Sequence, residues 1–379
     1  MSSPTQDGGT SKGAEAVGHR LQALVERTVA KRGIAHAVVG TVQGDGTTRW
    51  IVAAGDARPG EQMRPDTPFF IASVTKRLIA TLALQASERS ELALDDPITA
   101  ILPAELTDGL HVLKGVDHTS AITVHHLLTH TSGLPDYWDK PKSGLPSLYK
   151  QLLRGEDRSW SLADVVRWVR VDHRPHFPPQ DLSAAGQRAR YSDTGFQLLI
   201  AILERVTGRS LADLLHDRIF EPVGMAQSWL PGRSKPIADT PEPALVHAGR
   251  RPLQLSQLIE SSNDVTSTAD DLLRFQQALV SGRLFDQPAT VHRLTERANL
   301  LRNMPPNRYG VGTWIFRVNR LVAPGHKPVS LVGHAGVTGT WLFTCPEFDV
   351  HLVGAVDQAG GQRIPFRIMG QMLRAISSA

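Results

Sequence analysis

The chain has 379 residues, one cysteine, 41 Lys and Arg against 37 Asp and Glu, and a formal charge of +4. That length supplies core enough for one large domain or two joined ones, and the lone Cys345 excludes an internal disulfide and reads as a small buried apolar residue. The scattered, nearly balanced charge argues against a nucleic-acid partner, and no apolar run approaches the roughly 18 residues that span a bilayer.

Met1 to Glu15 is Ser, Gly, Thr and charge without an apolar run. It reads as a disordered lead and not as a signal peptide, so a soluble, cytoplasmic protein is expected. From Ala16 to Arg32, Val17, Leu21, Leu24, Val25 and Val29 recur at helical spacing and predict an amphipathic helix. Ala35 to Val42 and Thr47 to Ala54 are β-rich runs joined across Gly44-Asp45-Gly46, which is hairpin chemistry.

Phe69 to Lys76 comes next and leads into an apolar run from Leu78 to Leu84. If Ser73 opens a helix, Lys76 lies one turn on along the same face, roughly 5 to 6 Å away between Cβ atoms. The following residues are apolar almost all round, as in a helix buried on every side. A serine and a lysine at its head would face a cleft.

Ile122 to Leu128 predicts a short helix ending at His130-Thr131-Ser132-Gly133-Leu134-Pro135. Residues 137–190 are rich in Pro, Trp and Lys, with one helix over Ser161 to Val171 capped by Ser161. A long segment of this kind reads as a cleft wall or lid. Trp138, Trp160 and Trp168 either line a pocket or stabilise the insert from inside, the second being the simpler use.

Helices are predicted over Thr194 to Val206, Ser210 to Phe220 and Thr268 to Val280. Strands follow over Tyr309 to Val318, Val329 to Val332, Thr340 to Cys345 and Val350 to Val356, then a last helix over Phe366 to Ile376. Strands at both ends with helices between them imply an α+β fold: one antiparallel sheet built from the two termini and flanked by terminal helices, with an all-helical domain inserted. The expected boundaries are 16–68 with 306–379 for the sheet domain and 69–305 for the helical domain. The Ser73 helix would run along the seam.

Single motifs mean little here. Ser-x-x-Lys occurs at Ser73/Lys76 and at Ser147/Lys150, Tyr-x-Asp at Tyr137/Asp139 and at Tyr191/Asp193, and His-x-Gly at His247/Gly249 and at His334/Gly336. Order and context single out Ser73 at a buried helix start, Tyr191 just before a helix, and His334 at a strand end. With Leu127 to Leu134, Val206-Thr207-Gly208 and Glu221 to Met225 in the same order, the chain resembles the class C serine beta-lactamases and their relatives. These include penicillin-recognising carboxypeptidases, D-aminopeptidases and carboxylesterases.

That resemblance implies a beta-lactamase/transpeptidase-like fold and a serine hydrolase that works without a cofactor. It implies Ser73 as nucleophile, Lys76 as its activator and Tyr191 as the base and acid that serves the leaving group. The backbone N–H groups of Ser73 and Val337 would form the oxyanion hole, and Asp193, His334 and Gly336 would contact substrate.

Two departures bear on substrate. His334-Ala335-Gly336 stands where beta-lactamases usually place Lys-Thr-Gly, and Tyr191-Ser192-Asp193 where they place Tyr-x-Asn. The first removes a permanent ammonium and a hydroxyl, and the second puts an acceptor where a donor stood, although Asp193 can pair with Lys76. Ester, amide or D-amino-acid peptide substrates are therefore expected, with weak or no beta-lactam hydrolysis. For His334 two uses stand side by side, substrate contact and a hydrogen bond that orients Tyr191.

An acyltransferase using the same residues and a non-catalytic sensor of cell-wall peptides or acylated metabolites are the alternatives. His126 and His130 lack the glutamate of a zinc-protease helix, so no metal is expected. No Gly-x-Ser-x-Gly elbow is present. Oligomeric state is not legible.

Overall fold

Strand alternation, with both faces of the sheet covered, sets the architecture. In the computed structural model, which describes residues 8–31, 33–44, 46, 48–318 and 327–377, the hairpin is His36–Gln43 (β1) and Arg49–Arg58 (β2), followed by Glu61–Gln62 (β3). The C-terminal part contributes Asn299–Leu300 (β4), Arg308–Tyr309 (β5), Trp314–Val318 (β6), Val329–Ala335 (β7), Trp341–Cys345 (β8) and Val350–Ala355 (β9). Together they make a nine-stranded sheet in the order β4-β5-β6-β7-β8-β9-β1-β2-β3, antiparallel at every pairing. The termini meet where Val38 lies opposite Ala355 and Val42 opposite His351.

The longer helices are Gly8–Val29 (α1), Thr75–Glu88 (α2), Leu162–Asp172 (α3), Asp193–Thr207 (α4), Ala269–Val280 (α5) and Ile364–Ser377 (α6). Period-two alternation divides the core. Ala37, Val39, Phe343, Cys345 and Leu352 pack beneath α1 and α6. Val38, Val42, Leu342, Val353 and Ala355 face α5 and the helical part. β8 and β9 are buried along their whole length, each fully buried Leu, Val or Phe being worth about 1.5–3 kcal/mol. Cys345 is buried there, and burial and then Glu347 push its thiol up to about 12.

Some boundaries differ from expectation. The lead expected to be disordered over Met1 to Glu15 is helical from Gly8, while residues 1–7 lie outside the described residues. Tertiary contact supplies the reason: the Trp50 indole N–H donates to the Ala14 carbonyl at 3.0 Å and its ring packs on Gly18. The helix expected over Ser210 to Phe220 is α-helical over Leu211–Leu215 and widens to a π turn over His216–Phe220. The sheet starts ahead of residue 306, because Asn299 already pairs with Tyr309. No helix among the described residues is long and apolar enough to cross a membrane.

The insert over 137–190 packs on itself and on the cleft. The rings of Tyr137, Trp138, Trp160 and Trp168 contact one another at centroid distances of 6.0–6.5 Å. Trp160 and Trp168 serve the insert, whereas Trp138 also lines the cleft. Ser161 caps α3 through a reciprocal box with Asp164.

Candidate active site

The turn that carries Ser73 is built by backbone. Ala72–Val74 forms a 3-10 turn ahead of α2, and Ala72 is held at φ +47°. That left-handed conformation costs a non-glycine residue of order 1 kcal/mol and is kept only where packing fixes it. Ala72 is buried, the neighbouring Ile71 carbonyl accepts from Thr340 Oγ1 at 3.0 Å, and the end of β7 presses on the turn. Gly336 permits that approach, since a Cβ there would lie 2.8 Å from Ala72 Cβ and 3.1 Å from the Ile71 carbonyl oxygen.

Ser73 and Val337 therefore share one wall of a cleft of about 680 Å³. Neither of their backbone N–H groups has a hydrogen-bond partner among the described residues. Two free donors beside a serine hydroxyl are what a developing oxyanion needs.

Lys76, buried on α2, places Nζ 3.2 Å from Ser73 Oγ. It ion-pairs with Asp193 in the first turn of α4, and its ammonium lies 5.4 Å from the Tyr191 ring centroid. Burial disfavours the charge, but Asp193 and then Asp264 more than offset it and hold Lys76 above its ordinary value. Burial first, then Asp193, raise the Tyr191 phenol well above the usual range, against a lowering influence from the neighbouring Ser73 hydroxyl. Both candidate bases therefore keep their protons. The groups enclosing Lys76 are acidic.

Tyr191 is clamped from two sides. Its N–H donates to Asn303 Oδ1 at 3.0 Å and its carbonyl accepts from Asn303 Nδ2 at 3.2 Å. The His130 carbonyl accepts the Arg190 N–H at 2.9 Å, and His130 Nδ1 accepts the Ser192 N–H at 3.3 Å. The His130 ring lies 4.5 Å from that of Tyr191. His126 is turned elsewhere, with Nδ1 in the Thr123 capping box and Nε2 2.7 Å from the Gln180 carbonyl. The two histidines share no ligand position.

His334 departs from both of its expected uses. It is fully buried and lies outside the residues lining the cleft. Its Nδ1 is 3.0 Å from the Ala335 carbonyl, which only accepts, so Nδ1 carries the proton and Nε2 accepts from the Tyr309 hydroxyl at 3.1 Å. Strand alternation turns the ring into the packet of Tyr309, Trp314 and Tyr191. It touches neither substrate space nor the Tyr191 hydroxyl by a hydrogen bond. Burial, then the Lys76 charge, keep it well below the usual histidine range and so neutral.

Of the positions expected at the site, Ser73, Lys76, Tyr191, Asp193, Gly336 and Val337 converge on one cleft. Residues 21–366 match the Beta-lactamase family. The chain belongs to the beta-lactamase family. Among its relatives, esterase EstB of Burkholderia gladioli is 35% identical over 220 residues, covering 56% of this chain and 51% of the esterase. The chain thus matches about half of that relative's length. Among solved structures, the D-amino acid amidase of Ochrobactrum anthropi SV3 complexed with D-phenylalanine superposes with a TM-score of 0.73 at 22% identity, covering 96% of this chain and 99% of the amidase. EstCE1, described as a hydrolase with promiscuous acyltransferase activity, gives 0.73 at 21% identity over 96% and 99%. At such identities these two likenesses speak to the fold.

Within this beta-lactamase-family cleft, Asp136 and Asp264 are members that sequence reasoning missed. Asp136 follows the Gly133-Leu134-Pro135 turn directly, a signal that was present. The Pro135 carbonyl accepts from both Ser192 Oγ and Thr194 Oγ1, at 2.9 and 2.8 Å, which brings that turn against the start of α4. Asp264 and Asn303 carried none, since each is one polar residue in an irregular stretch.

Proposed function

We propose that this protein is a metal-free serine hydrolase that forms an acyl-enzyme on Ser73 from an ester, an amide or a D-amino-acid peptide. The observation that carries this reading is the convergence of Lys76 Nζ and the Tyr191 phenol on the Ser73 hydroxyl. The identity with an esterase and the fold shared with a D-amino acid amidase support it.

Chemistry starts with a proton shift, because Lys76 rests charged. Lys76 first gives up the proton that Asp193 and Asp264 help it hold, and neutral Lys76 then accepts the proton of Ser73 as Oγ bonds to the substrate carbonyl carbon. The N–H groups of Ser73 and Val337 hold the oxyanion. Tyr191 gives its phenolic proton to the departing alcohol or amine and recovers one from the water that later cleaves the acyl-enzyme.

Beta-lactams are poor substrates on this reading. The Lys76 charge is taken up by Asp193, and His334 is neutral and buried, so neither greets a substrate carboxylate. A cytoplasmic location is part of the same proposal, and cell fractionation tests it. The decisive experiment uses a p-nitrophenyl ester and a fluorophosphonate. Wild type hydrolyses the first and is labelled at Ser73 by the second, and an undiminished rate in Ser73→Ala removes the reading. Adding an amine or alcohol and identifying the product separates acyl transfer from hydrolysis.

A further inference from the structure

One ionic pair lies inside the sheet, outside the residues that line the cleft. His36 at the head of β1 and Asp357 just past the end of β9 are both fully buried, with His36 Nε2 2.9 Å from Asp357 Oδ2. His36 Nδ1 lies 3.0 Å from the Asp56 carbonyl, which only accepts, so Nδ1 carries a proton. A second proton then sits between Nε2 and Oδ2, and either partner can own it without breaking the bond. Asp357 Oδ1 has no partner, so His36 is the one side chain that holds this carboxyl group among the described residues.

A buried pair of this kind is a poor source of stability, since taking two polar groups out of water offsets what their attraction returns. It is a good way to fix one geometry. Asp357 needs fixing: its φ of +40° is a left-handed conformation that a residue with a Cβ keeps only where its surroundings impose it. That conformation directs the main chain on either side. The Val356 N–H donates to the Gly339 carbonyl at 3.2 Å, the Gln358 N–H donates to the Thr338 carbonyl at 2.7 Å, and the Asp357 carbonyl accepts the His247 N–H at 2.7 Å. Thr338 follows Val337 directly. The turn from Gly336 to Thr340 is closed on itself, the Gly336 N–H donating to the Thr340 carbonyl at 2.8 Å and the Gly339 N–H to the Gly336 carbonyl at 3.1 Å. It therefore shifts as a unit, and the two residues flanking Asp357 tie it to the sheet.

We propose that His36 and Asp357 are positioning residues for the oxyanion hole: their bond fixes the bend at Asp357, the bend fixes the 336–340 turn through Val356 and Gln358, and the turn aims the Val337 N–H. The inference rests on the hydrolase reading above and deepens it, adding a support that lies outside the cleft. A misplacement of about 1 Å at the reacting atoms costs on the order of 10²-fold in rate, so a pair this remote can still govern turnover. Formation and hydrolysis of the acyl-enzyme both pass through an oxyanion. Slowing the two together lowers kcat and leaves KM where it was.

The test measures p-nitrophenyl acetate hydrolysis, with kcat counted per Ser73 that a fluorophosphonate labels at completion, so that unfolded protein does not enter. Asp357→Gly removes the carboxylate and suits the left-handed backbone, and His36→Ala removes the ring. Each is expected to lower kcat about tenfold or more with KM held within about twofold. Asp357→Asn, whose amide can donate to Nε2 of a neutral His36, is expected to retain most of the wild-type rate. Wild-type kcat per labelled site in folded Asp357→Gly overturns the inference, as does an Asp357→Asn variant no faster than Asp357→Gly. Should neither Asp357→Gly nor His36→Ala fold, His36→Gln decides, because its amide reaches toward Asp357 without spanning to Asp56. It must then show a fall in kcat of about threefold or more at unchanged KM, and an unchanged kcat overturns the proposal. Unaffected variants beside a wild type that is labelled and active remove this inference alone, whereas a wild type neither labelled nor active removes the hydrolase reading with it.

Discussion

Asp193 and Lys76 set the protonation of the site between them. Removing the carboxylate leaves burial as the main influence on the lysine, so its affinity for the proton falls. The rate of ester hydrolysis should rise with pH in wild type along a limb set by loss of the Lys76 proton, and in Asp193→Asn that limb should move to lower pH. A pH profile of kcat/KM checks it, and a limb that stays or moves upward contradicts the assignment. Asp264 makes a stability statement. Its carboxyl is pushed up to about 6, by burial first and against the pull of Lys76. A carboxyl with a raised folded value favours the folded state while protonated, so this contribution is full below about 4 and lost as pH rises to about 6. Asp264→Asn should therefore be more stable than wild type at pH 7.5, by on the order of 2 kcal/mol, with the gap closing below pH 4. Thermal melts at the two pH values measure it. Neither aspartate announces itself in sequence as anything but a polar residue. Asp193 became readable because of its spacing from Tyr191, and Asp264 had no such neighbour.

Elements carry the precision of the site. β7 delivers Val337 to the nucleophile turn only because Gly336 lets the strand end press on Ala72. Gly336→Ala should displace that N–H, lowering kcat by about 10²-fold or more and stability by roughly 1–3 kcal/mol. A variant with wild-type kcat would show that the oxyanion donors lie elsewhere. In the insert, Ser161 accepts the Asp164 N–H at 3.2 Å and the Asp164 carboxylate accepts the Ser161 N–H at 3.0 Å. Ser161→Ala should cost about 1 kcal/mol in a denaturant titration. This cap was legible because capping is local. The second Ser-x-x-Lys turns out to be another cap, Ser147 accepting the Lys150 N–H at 3.3 Å, which local sequence alone does not distinguish from a nucleophile.

For the whole molecule, the sheet is closed by its two ends. Ile368, Met369, Met372 and Leu373 of α6 share a buried cluster with Val39 of β1, Phe343 of β8 and Leu352 of β9. Deleting residues 364–379 uncovers that face, and the expected result is loss of cooperative unfolding by circular dichroism together with aggregation. A truncated protein that melts like wild type would mean that the flanking helices are dispensable. Because the nucleophile turn leans on β7, the same deletion should also abolish labelling of Ser73.

Sequence by itself determined the class of fold, the helix and strand periods and the Ser161 cap, and it singled out 73, 76 and 191 as candidates that share one cleft, since spacing within one element and order along the chain are properties of the chain. Tertiary structure alone decided that Lys76 is enclosed by acids, that His334 is turned into an aromatic packet with Tyr309, that Asn303 holds Tyr191, and that Asp136 has no ion-pair partner among the described residues. Those outcomes depend on which groups share a buried space, and both proton affinity and hydrogen-bond partnership are fixed by that neighbourhood and not by distance along the chain.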